Sequence, residues 1–275
     1  MTKKPSLTIE AGKAERHYWI DLWRYRELFF FLAWRDIAVR YKQTTIGVAW
    51  AMLRPLLTMV VFTFVFGRLG NFPSGGTPYP ILVFAAILPW QFFSNAFTDA
   101  GNSLISNSGM ISKVYFPRLI IPTSAVIVSL VDFLFSGLIM AGLMLWYGFS
   151  PNGKILVLPL LVLVVFLAAM GPGLWTAALN VKYRDVRYIV PFVVQLGLYL
   201  SPVGFSSEVI PGRWRLLYSI NPMVGVIDGF RWALLGNESP IYWPGFVLSL
   251  LLVVLVLVTG TLYFKRTERL FADVI

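Results

Sequence analysis

The sequence has no cysteine and a single histidine, His17. Disulfides and thiolate metal sites are excluded, although no redox compartment follows from that. Charge is scarce: 13% of residues are Asp, Glu, Lys or Arg, against 57% hydrophobic. A soluble domain of 275 residues needs far more polar surface. The phosphate-cradling pattern G-x-x-x-x-G-K-[ST] is missing, so the chain carries no P-loop. H-E-x-x-H, G-x-S-x-G and clustered carboxylates are missing too, which argues against metal, triad and glycosyl-transfer chemistry. His17 reads as a solvated residue in a polar leader, and no catalytic residue or metal ligand is expected.

What the sequence does have is a series of apolar runs about 20 residues long, the length that crosses a bilayer as a helix. The fold class expected is an all-α integral membrane protein. It has six transmembrane helices, an N-terminal interfacial amphipathic helix, and short external gate helices before the last span. A transmembrane barrel would show short alternating segments instead. The opening MTKKPSLTIEAGKAERH has no apolar core after its lysines, so no cleavable signal peptide is expected. The net charge of +10 fits basic residues facing the cytoplasm and anionic lipid better than it fits nucleic acid.

In order, residues 1–17 read as a mobile polar N-terminus and 18–43 as the interfacial helix, with 44–264 as one transmembrane domain. The spans expected are about 46–69, 80–98, 119–146, 154–179 (interrupted at Gly171–Pro172–Gly173), 188–205 and 241–264. Residues 206–240 are too polar to cross and too amphipathic for a plain loop, and 265–275 form a tail. With the N-terminus inside, cytoplasmic segments hold eighteen of the 23 Lys and Arg residues. Both termini are therefore expected in the cytoplasm.

Three sets of residues invite a functional reading. Within the interfacial helix and the first span, Arg24, Arg35, Arg40, Lys42 and Arg54 are placed to meet an anionic lipid headgroup; a simple membrane anchor would look the same. Aromatic residues number 44 (22 Phe, 12 Tyr, 10 Trp). Interfacial belts account for many. Trp50, Phe62, Phe66, Trp90, Phe93, Phe192 and Tyr199 lie within spans, where ring faces could stack on sugars or simply pack on lipid. Asp132 is the one acid expected deep in a span. It serves either a polar path or a packing hydrogen bond, to Ser129, Ser136 or a neighbouring span. No second intramembrane ionisable group is expected.

Several motifs in series resemble one family. RYKQTTIGVAWAMLRPLLTMVVF (Arg40–Phe62), ISKVYFPRLIIP (Ile111–Pro122), LNVKYRDVRYIVPF (Leu179–Phe192), LSPVGF (Leu200–Phe205) and INPMVGVIDGFRWALLG (Ile220–Gly236) closely resemble the permease subunit of ABC-2 type polysaccharide exporters. These are the O-antigen and teichoic-acid transporters. The resemblance runs from about Leu22 to Phe264, and its specificity lies in the order of the motifs.

The resemblance implies a homodimeric permease in the bacterial inner (cytoplasmic) membrane, working with two copies of a P-loop ATPase. ATP and Mg would be bound by that partner, and no cofactor is expected in this chain. The polar stretch DAGNSLISNSGMISKVYFPR (Asp99–Arg118) would hold a coupling helix at about 101–115. Its ATPase contacts would be Asn102, Ser103, Leu104, Asn107, Gly109, Met110, Lys113 and Tyr115. Residues 206–240 would gate the external exit, with Trp214, Asn221, Phe230 and Trp232 in that role. The substrate implied is a polysaccharide on an undecaprenyl-type carrier, sliding between two subunits past aromatic rings. Pro89, Gly171–Pro172–Gly173, Pro191 and Pro202 are candidate bending points. The alternatives are a drug or lipid exporter on the same scaffold, a membrane-embedded glycosyltransferase, and a passive channel.

Overall fold

The structure is a computed structural model and describes residues 18–42, 47–150, 153–183, 185–236, 240–268 and 271. The expectations for residues 1–17, Arg184, 237–239 and most of the tail beyond Glu268 lie outside them. The protein is an all-α membrane protein, with no strand among the described residues. Among the described residues, five helical segments are long and apolar enough to cross a membrane, and a sixth apolar helix is shorter.

The chain begins with α1 (Tyr18–Arg24) and α2 (Arg26–Lys42). Helix α3 (Gly47–Phe62) continues as a wider π-helical turn, Thr63–Leu69. Helix α4 (Tyr79–Ser106) is followed by the four-residue α5 (Ser108–Ile111) and by α6 (Ile120–Trp146). Then come α7 (Leu158–Lys182), α8 (Val186–Leu200), α9 (Gly212–Tyr218), α10 (Pro222–Leu235) and α11 (Trp243–Thr267). Proline sits in the first turn of α4, α7, α10 and α11. There its missing N–H costs nothing and its fixed φ suits the helix.

Helix α4 is the centre of the bundle. It packs against α6 and α7, and also against α3, α8 and α10. Every residue from Ile81 to Trp90 is buried, as expected for a helix that is apolar all round. Helix α11 packs on α7 and α10, and α2 lies on α6.

Small residues set the closest approaches, as is usual where lipid leaves packing to drive association. A Cβ on Gly171 would come within 2.9 Å of the Leu257 nitrogen on α11. A Cβ on Gly173 would lie 2.8 Å from Ala100 on α4, and one on Gly101 would lie 2.7 Å from the Thr176 hydroxyl. The Gly171–Pro172–Gly173 triplet therefore does not interrupt the fourth span. Helix α7 runs unbroken through it, and its glycines are packing contacts. Pro89 and Pro191 likewise sit inside continuous helices.

Two further boundaries differ from those expected. Helix α4 does not stop at residue 98; it continues to Ser106. At 1.5 Å per residue its 28 residues reach about 42 Å, beyond the roughly 30 Å hydrocarbon core. No proline stands between Asp99 and Ser106, and Gly101 is held where α7 passes. The Asn180 side-chain amide donates to the Gly101 carbonyl at 3.0 Å and to Asn102 Oδ1 at 3.1 Å. At the other end, α8 stops at Leu200, five residues before the expected end, and Pro202 lies in the turn that follows.

That turn leaves carbonyls without helical partners in a buried place, and side chains supply the donors. Arg231 donates to Phe205 O at 2.9 Å and Val203 O at 3.3 Å, and reaches Leu82 O on α4 at 3.2 Å. The Tyr79 hydroxyl donates to Gly204 O at 2.7 Å. Irregular backbone at membrane depth is tolerated only when satisfied in this way.

Candidate functional site

One face of α4 carries polar residues at helical spacing: Gln91, Asn95, Asp99, Asn102 and Ser106. On α6, Ser129, Asp132 and Ser136 form a shorter stripe of the same kind. The two stripes face each other under α2 and the first turns of α3, and two cavities open along them. The first, of about 430 Å³, lies at the end of the bundle that holds α5. Arg35, Asp36, Asp99, Asn102 and Asn107 are among its lining residues. The second, of about 420 Å³, lies deeper. Trp50, Arg54, Gln91, Asn95, Asp132 and Ser136 line it, backed by Phe92 and Phe133.

Arg40 lines both cavities and stands between them. Its guanidinium donates to Asp132 Oδ2 at 2.9 Å and to Asp99 Oδ2 at 3.2 Å. Ser129 donates to the same Asp99 oxygen at 3.0 Å, and the Tyr41 hydroxyl donates to the other oxygen of Asp132. Helix α2 is thus tied by charge to two spans at once. Such acids inside a membrane bundle need a cation beside them, and α2 supplies it. The expectation of a lone Asp132 is corrected here. Its partners are Arg40 and Tyr41, and Asp99 is a second ionisable group in the same cluster. Asp99 belongs to α4 and not to a loop, because the helix runs eight residues past the expected end at 98.

The five candidate headgroup residues separate. Arg40 and Arg54 share the deeper cavity, while Arg35 lines the other, paired with Asp36 and donating to Asn107 Oδ1 at 2.7 Å. Arg24 is exposed, 4.0 Å from Asp21, and Lys42 is exposed. Neither reaches either cavity.

The stretch expected to form a coupling helix at 101–115 is the end of α4, the turn α5 and a loop. Ser103 and Leu104 are buried and offer no outer surface, while Asn102 is half-buried and faces the first cavity. Gly109, Lys113 and Tyr115 are exposed, and Asn107 and Met110 are partly so. Behind this surface, the Arg118 backbone N–H donates to the Glu268 carboxylate at 2.7 Å, and the Arg118 guanidinium donates to the Glu268 carbonyl. Burial holds the Glu268 carboxyl above the ordinary range. The end of α11 is thereby latched to the α5–α6 loop.

The aromatic candidates do not form one track within a single chain. Trp50 lines the deeper cavity. Phe62, Phe66 and Tyr199 cluster between α3 and α8, with ring centroids 5.4 and 6.4 Å from Phe62. Trp90 and Phe93 pack together on the opposite face of α4, and Phe192 is exposed on α8. Of the gate candidates, Trp214 is exposed and Trp232 lies under the Lys154 ammonium. Asn221 caps α10, accepting from the Met223 N–H at 3.0 Å, and Phe230 is core, edge-on to Phe133.

Sequence reasoning passed over Gln91, Asn95, Tyr41, Asp99 and Arg231. The every-fourth-residue polar spacing through Gln91, Asn95 and Asp99 was the available signal.

The family described as ABC-2 type transporter matches residues 27–235. An O-antigen export system permease protein RfbA from Myxococcus xanthus is 28% identical over 257 residues, covering 92% of this chain and 97% of that protein. One of the same name from Klebsiella pneumoniae is 26% identical, over 90% of this chain and 95% of its own. The inner membrane transport permease YadH of Escherichia coli is 24% identical, over 77% and 86%.

Proposed function

The chain belongs to the ABC-2 type transporter family, and from that premise we propose that it is the permease subunit of an ATP-driven exporter of lipid-linked polysaccharide. The membrane is the bacterial inner membrane. Both termini face the cytoplasm, since that orientation places most of the Lys and Arg residues inside. Two relatives carry O-antigen export in their names, which supports the substrate class.

The observation that carries the reading is the deeper cavity. Trp50 offers a flat apolar ring, and Gln91, Asn95 and Asp132 offer planar hydrogen-bonding groups. That combination suits a pyranose, whose C–H face is apolar and whose rim is hydroxyl. Arg54 and Arg40 in the same wall suit the phosphates that join the glycan to its lipid.

The energy enters from outside the chain. Two copies of a P-loop ATPase, holding ATP and Mg, press on the exposed residues of Gly109–Tyr115. Motion there reaches the cavities through α4 and through α2, which is tied to Asp99 on α4 and to Asn107 just past its end. Two copies of the permease form the conduit. Helices α3 and α8 present exposed apolar faces for that purpose, carrying Trp50, Leu57 and Val61, and Tyr188, Phe192 and Tyr199. The glycan slides between them, with aromatic stacking weak and repeated.

Loss of the chain from its native cell strands the lipid-linked glycan on the cytoplasmic leaflet. The wild-type gene restores export, and Gln91→Leu with Asn95→Leu restores about a tenth of it or less. Intact glycan export without the chain, with changed tolerance to an apolar drug, overturns the proposal in favour of a drug or lipid exporter.

A further inference from the structure

On the face of α4 away from the polar seam lies a third cavity, of about 620 Å³. Trp90, Phe93 and Phe97 of α4 form one wall, Val194 and Gly197 of α8 another, and Val256 of α11 a third. Leu217 and Tyr218 of α9 also line it. The contact of Gly197 with Trp90 keeps α8 near the bundle, because a Cβ there would sit 2.6 Å from the indole. Around that contact the helices do not meet.

Close packing is the rule in protein interiors, and an empty volume this large forfeits the dispersion energy of its whole lining. Water does not fill it, since apolar cavities stay dry. A hydrocarbon does, and the bilayer supplies one. From Trp90 to Phe97 α4 rises about 10 Å. Over that length the slot is lined almost wholly by apolar side chains, which suits flexible acyl chains.

The charge nearby selects the headgroup. Helix α9 carries Arg213 and Arg215 and no acid. Arg215 is three residues before Tyr218, hence on the same helix face. Its guanidinium lies 4.8 Å over the Tyr242 ring, and its buried Nε–H has no acceptor in the described chain. Asp228 lies within electrostatic reach of Arg215 as well as Arg231 and accepts from Ser207 at 2.6 Å, while Glu208 is exposed.

We infer that this slot holds the acyl chains of one anionic phospholipid, with its phosphate at Arg215 and Arg213. The site is independent of the polysaccharide reading and lies on the other side of α4. The lipid fills the gap behind α8.

The test uses full-length protein in phosphatidylcholine vesicles containing a small fraction of phosphatidylglycerol with a diazirine at the end of one acyl chain. After photolysis, peptides are mapped by mass spectrometry. Expected adducts fall on Trp90–Phe97 and Val193–Leu200. Labelling drops at least fivefold in Val194→Trp and in Val256→Trp, which fill the slot. It drops about threefold in Arg215→Gln, which leaves the slot intact, and when the diazirine is carried by phosphatidylcholine. Labelling confined to Phe192 and other exposed positions, or unchanged in both filled variants, overturns the site. Preferential labelling by a diazirine polyprenyl phosphate overturns the assignment to phospholipid. A disulfide between two copies bearing Val194→Cys, with no lipid adduct, assigns the slot to the partner chain instead.

Discussion

Two arginines do opposite work in this bundle. Arg231 is fully enclosed, and burial lowers its pKa to about 10; it binds two carbonyls of the turn after α8 that no helix can satisfy and a third, Leu82 O, on α4. Replacing it with Met removes every donor at once and leaves Asp228 with Arg215 as its remaining cation. We expect a loss of about 3–5 kcal/mol, the usual consequence of breaking a buried charged network. It is read as a fall in the thermal midpoint of the detergent-solubilised protein by light scattering. Arg231→Lys recovers little, because one ammonium cannot span the three acceptors. Arg40 is a third exposed and is shared by two acids. Asp132→Asn removes one of them and leaves Asp99 in place, so the expected loss is smaller, about 1–2 kcal/mol. Export falls further than stability does, since Asp132 also lines the deeper cavity. A variant that folds like wild type and exports at the wild-type rate would remove Asp132 from the site.

At the scale of elements, the close approach of α7 and α11 depends on two glycines. A Cβ on Gly260 would run into the Gly171 carbonyl, with backbone on both sides and no flexible side chain to yield. Gly260→Ala is expected to cost about 1–3 kcal/mol by overpacking. Gly142→Ala on α6 meets nothing within 4 Å and should be neutral or stabilising by up to about 1 kcal/mol, from helix propensity alone. The pair of midpoints separates packing from propensity. These contacts also show why the elements were only partly legible in the sequence. Apolar length reveals a span, and Pro80, Pro159 and Pro244 mark the start of three of them. Length cannot show that Gly171–Pro172–Gly173 is a packing surface, because the reason lies on α11. Nor can it show that α4 passes residue 98, because Asn180 on α7 helps to hold that end. The candidate site was legible in pieces: Arg40, Arg54, Trp50 and Asp132 were named, but as parts of three different features. What joins them is a polar stripe on α4 whose members are unremarkable one at a time.

For the whole molecule, the question is where an outside machine can push. The described surface near α5 divides sharply: Gly109, Ser112, Lys113, Val114 and Tyr115 are exposed, while Ser103, Leu104 and Ile111 are buried. A docking partner can reach only the first group, although all of these residues lie within 13 positions of one another. The absence of native cysteine makes the distinction measurable. In native membranes with the ATPase present, Gly109→Cys and Ser112→Cys should crosslink to an ATPase-sized partner, with a yield altered severalfold by ATP. Leu104→Cys, facing the core of the same protein, should not. Asn107→Ala, which leaves Arg35 with Asp36 alone and loosens α2 from the end of α4, should leave the crosslink intact while lowering export severalfold at unchanged ATP hydrolysis. Docking and transmission would then be separated by one side chain. If Asn107→Ala instead lowered hydrolysis and export together, α2 would be part of the docking surface, and the route from α5 to the cavities would run through α4 alone.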